Sequence, residues 1–154
     1  MRRISIIAII SVFIFINCKK TKLEGDLSVL VGTWEWRYTV YVGNICEAYN
    51  DSLVTHSPSM DGFSNTIKFL KKGKMIVYLD GKKDKTYRLI RKGIMSDPGV
   101  IAFNFNLDND KKGITLEYFK SNAKSFIKSN YLPLNILNGF DGCRGEYSIY
   151  EKLE

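Results

Sequence analysis

From Trp34 the chain alternates. Trp34, Trp36, Tyr38, Val40 and Val42 fall on one face, and Glu35, Arg37, Thr39 and Tyr41 on the other. A period of two in aromatic and β-branched residues specifies a strand with one buried face. The same signal recurs in short runs along the chain. Thr66–Leu70 and Lys74–Leu79 flank the turn Lys71-Lys72-Gly73, and Asp80-Gly81 leads to Lys85–Arg91. Lys92-Gly93 and Asp97-Pro98-Gly99 break the chain before Val100–Leu107, where Ile101, Phe103, Phe105 and Leu107 share a face. A turn from Asp108 to Gly113 precedes Ile114–Lys120. Tyr131–Leu137 carries Pro133, which suits an edge or a bulge, and Glu146–Leu153 closes the chain. Leu53–Thr55 is a minor candidate strand. Residues 121–129 read as an irregular crossing or one helical turn.

Eight strong strands with tight turns and no long amphipathic helix predict an all-β domain. The expected architecture is an antiparallel, up-and-down, eight-stranded β-barrel, with a β-sandwich as the alternative. A barrel leaves no unpaired edge strand. The stretch from 43 to 65, with its glycines, asparagines and Pro58, is long for a connection in a small domain and is expected at a functional rim.

The amino terminus has a separate logic. Arg2 and Arg3 precede an uncharged run from Ile4 to Ile16 that ends at Asn17-Cys18. A cationic start and a short apolar core form a secretory signal, and the run is shorter than the roughly 20 residues that span a bilayer. Phe15-Ile16-Asn17-Cys18 resembles the lipobox of bacterial lipoproteins, with Asn17 where a smaller residue is usual. That resemblance implies a signal peptide over residues 1–17, lipidation of Cys18, and anchoring of the chain to a membrane. Lys19 follows the cysteine where an inner-membrane retention signal would place Asp, so delivery to the outer membrane of a Gram-negative envelope is expected. Residues 18–29 then read as a polar lipidated tether, and residues 30–154 as the folded domain.

With Cys18 committed to lipid, Cys46 and Cys143 remain in an oxidising compartment. Cys46 follows the first strand and Cys143 precedes the last. In an even-stranded antiparallel barrel those two strands pair, so a Cys46–Cys143 disulfide would staple the closing seam. Two free thiols are the alternative.

Leu30-Val31-Gly32-Thr33-Trp34 at the start of the first strand resembles the Gly-x-Trp signature of lipocalins. A Pro-containing loop from Pro58 to Gly62, then Lys68-Phe69 and Gly73, continues the likeness. So do Leu132-Pro133-Leu134, Asp141-Gly142 and the final strand Tyr147-Ser148-Ile149-Tyr150. The layout is similar to the small lipocalin-like domains of bacterial lipoproteins over most of residues 30–154. The resemblance implies a lipocalin-like barrel with Gly32 and Trp34 as its family motif. It also implies a cation on the closing strand packed over the indole, for which Lys152 is the best-placed residue.

Catalytic chemistry has little to stand on. A single histidine, His56, excludes a multi-histidine metal centre. Asp108-Asn109-Asp110-Lys111-Lys112-Gly113 opens like a calcium loop, but Lys112 takes the fifth position and Phe119 the twelfth, where an acid is required. No catalytic residue, metal site or cofactor is expected. Loss of Arg2 and Arg3 takes the formal net charge from +7 to +5, which suits anionic lipid or glycan more than nucleic acid. The densest basic run extends from Lys68 to Lys92, and Lys71, Lys72, Lys82 and Lys83 are its candidates for headgroup contact. Two functions remain. In one, the barrel carries a small hydrophobic ligand lined by Trp36, Tyr38, Phe69, Phe103 and Phe105. In the other, a packed barrel is a non-catalytic envelope module that binds a protein or glycan through its loops.

Overall fold

A computed structural model describes residues 21–42, 52–97, 100–108, 110–130 and 145–154. Among the described residues nine strands make one antiparallel sheet: β1 (Gly32–Val42), β2 (Ser52–His56), β3 (Asn65–Leu70), β4 (Lys74–Leu79), β5 (Lys82–Asp97), β6 (Val100–Leu107), β7 (Asp110–Ser121), β8 (Lys124–Ser129) and β9 (Gly145–Leu153). From β3 to β9 each strand pairs with the next in sequence, and β9 returns to β1. The closing seam runs from Thr33 opposite Leu153 to Val42 opposite Gly145. Eight strands thus close the barrel. β2 is an addition: it pairs with the second half of β1, while β3 takes the first half.

Alternation places the core. β3 buries Asn65, Ile67 and Phe69; β4 buries Met75 and Val77; β6 buries Phe103, Phe105 and Leu107. Each set is spaced by two, as a half-buried pleat requires. Because neighbouring strands are antiparallel, the β3–β4, β5–β6 and β7–β8 turns lie at one end of the barrel, where β1 begins. The β4–β5 and β6–β7 turns lie at the other end.

The sequence reading needs three corrections. The first concerns the segment read as a tether. Gly25–Leu30 is a 3-10 helix, and Leu23, Leu27 and Leu30 are buried in the barrel core. The Trp34 indole nitrogen donates to the Leu30 carbonyl at 2.7 Å, and Leu23 N donates to Lys71 O at 2.9 Å. The folded domain therefore includes Thr21 onward, and residues 21–30 plug the end at which the chain comes in.

The second correction is β8. Residues 124–129 are a barrel strand, not an irregular crossing. Its hairpin turn, Asn122-Ala123, has φ of 48° and 64°. Two consecutive left-handed residues make the turn that matches strand twist, a place where Asn-Gly is the usual pair. Alanine in place of glycine hid the signal. Tyr131–Leu137, read as a strand, lies outside the described residues.

The third correction concerns β5, which continues to Asp97 through a bulge between Arg91 and Gly93 rather than stopping there. One extra residue bends a strand without ending it.

Candidate functional site

The interior of the barrel is the natural place to look for a ligand. Its lower part, nearest the 3-10 helix, is apolar. Trp34, Ile67, Phe69, Met75, Val77, Leu89, Phe103, Phe105, Leu116 and Ile127 are each 1% exposed or less. Trp34 meets Tyr118 edge to face, with ring centroids 6.4 Å apart. Across the seam, Lys152 pairs with Trp34, and its Nζ stands 5.4 Å from the indole centroid. Lys152 Nζ also donates to the Val29 carbonyl at 3.1 Å. The cation on the closing strand thus ties the indole to the plug helix.

A polar layer lies farther along the strands. The Trp36 indole nitrogen donates to Thr39 Oγ1 at 3.1 Å, and Thr39 Oγ1 shares a hydrogen bond of 2.8 Å with Ser148 Oγ. Ser129, opposite Ser148 in the β8–β9 register, is also fully buried. The Tyr150 hydroxyl donates to Asn65 Oδ1 at 3.1 Å. Burial pushes the Tyr150 phenol well above its ordinary range, so it remains a neutral donor. Sequence reasoning missed this layer. The signal was there in Ser148 and Tyr150, spaced by two on the last strand.

Of the five residues expected to line a cavity, Trp36, Phe69, Phe103 and Phe105 do face the interior, each at 1% exposure or less. Tyr38 does not. The register of β1 against β9 shifts between Trp36 and Tyr38, so Arg37 is an extra residue and the alternation inverts. Trp36 stays inside beside Tyr150, Tyr38 turns outward at 38% exposure, and Thr39 takes the inward position. A one-residue slip exchanges the faces of everything after it. Trp36 is covered by Phe63, which stacks on it at 5.3 Å between centroids and 19° between planes.

Phe63 comes from the connection between β2 and β3, which contains α1 (Pro58–Asp61). Ser57 caps this helical turn by accepting from Met60 N, and Pro58 occupies its first position. His56 Nδ1 lies 2.9 Å from Asp61 Oδ1, and Asp61 Oδ2 accepts from Ser57 N at 2.9 Å. His56 therefore braces the connector that delivers Phe63.

On the outer wall, Arg37 joins Glu35 at 2.7 Å and Glu151 at 2.8 Å, and Lys124 reaches Glu151 at 2.6 Å. Hydrogen bonding from Lys124, opposed by burial and joined by Arg37, holds the Glu151 carboxyl below its ordinary value. A solvent-open cleft of about 520 Å³ borders this pair, between Ala123–Ser125 and Glu151–Glu154. Within its lining, Lys124 and Glu151 neutralise each other. Among the described residues no cluster of three or more His, Cys, Asp or Glu is placed to hold a metal ion.

The basic run from Lys68 to Lys92 is divided by the fold. Lys71 and Lys72 occupy the β3–β4 turn at the plugged end, and Lys82 and Lys83 open β5 at the opposite end. Cys18, Cys46 and Cys143 lie outside the described residues. No protein-family model, curated protein or solved structure matches this chain.

Proposed function

We propose that this protein is a lipid-anchored, lipocalin-like component of the bacterial cell envelope. Its barrel is a packed, non-catalytic scaffold that binds a protein or glycan through its rim. The observation that carries this reading is the burial of the inner wall. Inward-facing side chains from all eight barrel strands, including Trp36, Phe69, Met75, Leu89, Phe103, Leu116, Ile127 and Tyr150, are 1% exposed or less. A side chain lining a water-sized void would keep accessible surface, and ordinary ligand pockets need about 300 Å³ or more. Val42, Ser52, Ser129 and Gly145, the strand ends joined in sequence by the two connections 43–51 and 130–144, lie at the rim opposite the plug. Val42 and Gly145 pair where those two connections leave the barrel, which supports the Cys46–Cys143 bridge as a staple across the rim.

The carrier reading keeps one supporting observation. Phe63, which covers Trp36, comes from a connector and not from a barrel strand, so its movement would uncover one aromatic face. Native mass spectrometry of the protein released from membranes separates the two. A packed scaffold gives the mass of the protein alone, with the acyl chains on Cys18. A retained lipophile, lost on Phe63→Ala, establishes the carrier.

A further inference from the structure

The amino-terminal segment meets the barrel at one well-defined place. Thr21 packs on Gly73 so closely that a Cβ there would fall 1.6 Å from the Thr21 carbonyl oxygen. Gly73 has φ +70°, so the turn demands glycine for both space and conformation. Arg91 N donates to Thr21 Oγ1 at 2.8 Å, Leu23 N donates to Lys71 O at 2.9 Å, and Leu89 N to Gly73 O at 2.9 Å. Three segments therefore converge on Thr21, and each brings exposed cations. Lys22 is on the first, Lys71 and Lys72 are on the second, and Arg91 and Lys92 are on the third. The acids on the adjoining segment are Glu24, 3.9 Å from Lys22, and Asp26, in the first turn of the 3-10 helix. Five cations stand against these two carboxylates. In sequence, Lys20 and Lys19 lead back from Thr21 to Cys18.

We propose that this collar is a docking surface for anionic phospholipid headgroups, so that the barrel stands on the bilayer with its plugged end down. The proposal rests on the lipid-anchor reading, because only two residues, Lys19 and Lys20, separate Cys18 from the Thr21 contact. A chain anchored there cannot carry the collar far from the headgroups. Surface cations attract an anionic leaflet within a Debye length, roughly 10 Å in ordinary salt. The same placement turns the opposite rim, with Lys82 and Lys83, away from the membrane.

Lysine footprinting tests the orientation on the unmodified protein. The full chain, produced in a bacterial host and extracted from membranes, is reconstituted into phosphatidylcholine vesicles with or without phosphatidylglycerol. It is then treated with an amine-acylating reagent, and modification is read peptide by peptide. Each cation near an anionic surface adds a factor of about five to the attraction. Acylation of Lys22, Lys71, Lys72 and Lys92 is expected to slow several-fold on anionic vesicles. At about 0.5 M salt it should recover, since screening then acts within a few ångströms. Lys82 and Lys83 should react alike on both vesicles. Equal rates at the two ends on anionic vesicles overturn the docking surface. So does equal protection by dextran sulfate in solution, which makes the collar a site for soluble polyanions.

Flotation separates this result from the anchor itself. A chain that floats with both vesicle types but shows no differential protection keeps its anchor and loses the collar. One that floats only with anionic vesicles, with Cys18 unmodified by mass, loses the anchor and keeps the collar.

Discussion

Gly32 and Lys152 are in contact across the seam of the barrel: a Cβ on Gly32 would lie 2.8 Å from Lys152 Cε. The absence of a side chain at Gly32 lets Lys152 lie over Trp34 and reach the Val29 carbonyl. Gly32 also has φ +136°, a conformation that side-chain-bearing residues rarely adopt. The glycine and the tryptophan of one short motif, and a lysine near the other terminus, therefore lock the plug helix to the closing strand.

Gly32→Ala is expected to destabilise the domain by about 1–3 kcal/mol, because the backbone strain persists even if Lys152 moves aside. Chemical denaturation of Gly32→Ala and of Gly32→Ala/Lys152→Ala checks this. Removing the lysine should restore only the steric part of the loss, and full recovery would show that the backbone is not strained.

Leu27→Ala tests whether residues 21–30 belong to the fold. A tether residue would tolerate the change. A side chain that is 3% exposed in the core cluster should cost about 2–4 kcal/mol when truncated. The measurement is the denaturation midpoint, with Lys22→Ala as an exposed control expected to stay within about 0.5 kcal/mol.

Ala123→Gly should stabilise. Ala123 is exposed and has φ +64°, where alanine is strained by about 1 kcal/mol and glycine is not. A rise in midpoint corresponding to about 0.5–1 kcal/mol is expected. No change would mean that the hairpin relaxes at no cost.

The Glu151 carboxyl, held by Lys124 and Arg37, has its pKa lowered in the fold. A depressed folded pKa contributes stability above the unfolded value, near the ordinary 4.5, and that contribution disappears as pH falls through the folded pKa. Wild type should therefore exceed Glu151→Gln in stability at neutral pH. The two curves should converge on acidification below the unfolded value. A gap that persists at low pH would assign the effect to packing.

Cys46 and Cys143 should be found joined by peptide mapping without reduction. The motivation is the Val42–Gly145 pair, which brings the chain to within a few residues of both cysteines on neighbouring strands. A bridge closing a loop of roughly 100 residues contributes up to about 4–5 kcal/mol in the chain-entropy model, so reduction should lower the midpoint markedly. Two alkylatable thiols in the native protein would remove the staple.

The barrel was legible because its causes are local. Period-two alternation marked β1, β3, β4 and β6, and Asp80-Gly81 marked a hairpin. Pairing of the first and last strands was expected from an even strand count, although that count took Tyr131–Leu137 as a strand and left out β8. β8 escaped because Ala123 does the work of a glycine, with nothing in its chemistry to announce it. The plug escaped because its pattern is short: Leu23, Leu27 and Leu30 have the spacing of one helix face, but over only eight residues and interrupted by Gly25.

By itself, then, the sequence determined which residues are extended and, over most strands, which face they bury, since both depend on side chains a few positions apart. Tertiary structure alone decided the rest. The extra residue Arg37 turns Tyr38 out of the barrel only because Trp36 is already fixed beside Tyr150 on another strand. Lys71 and Lys82 separate to opposite ends only because a full strand, β4, runs between them. In both cases the deciding neighbour is distant in sequence, and no local pattern can carry its position.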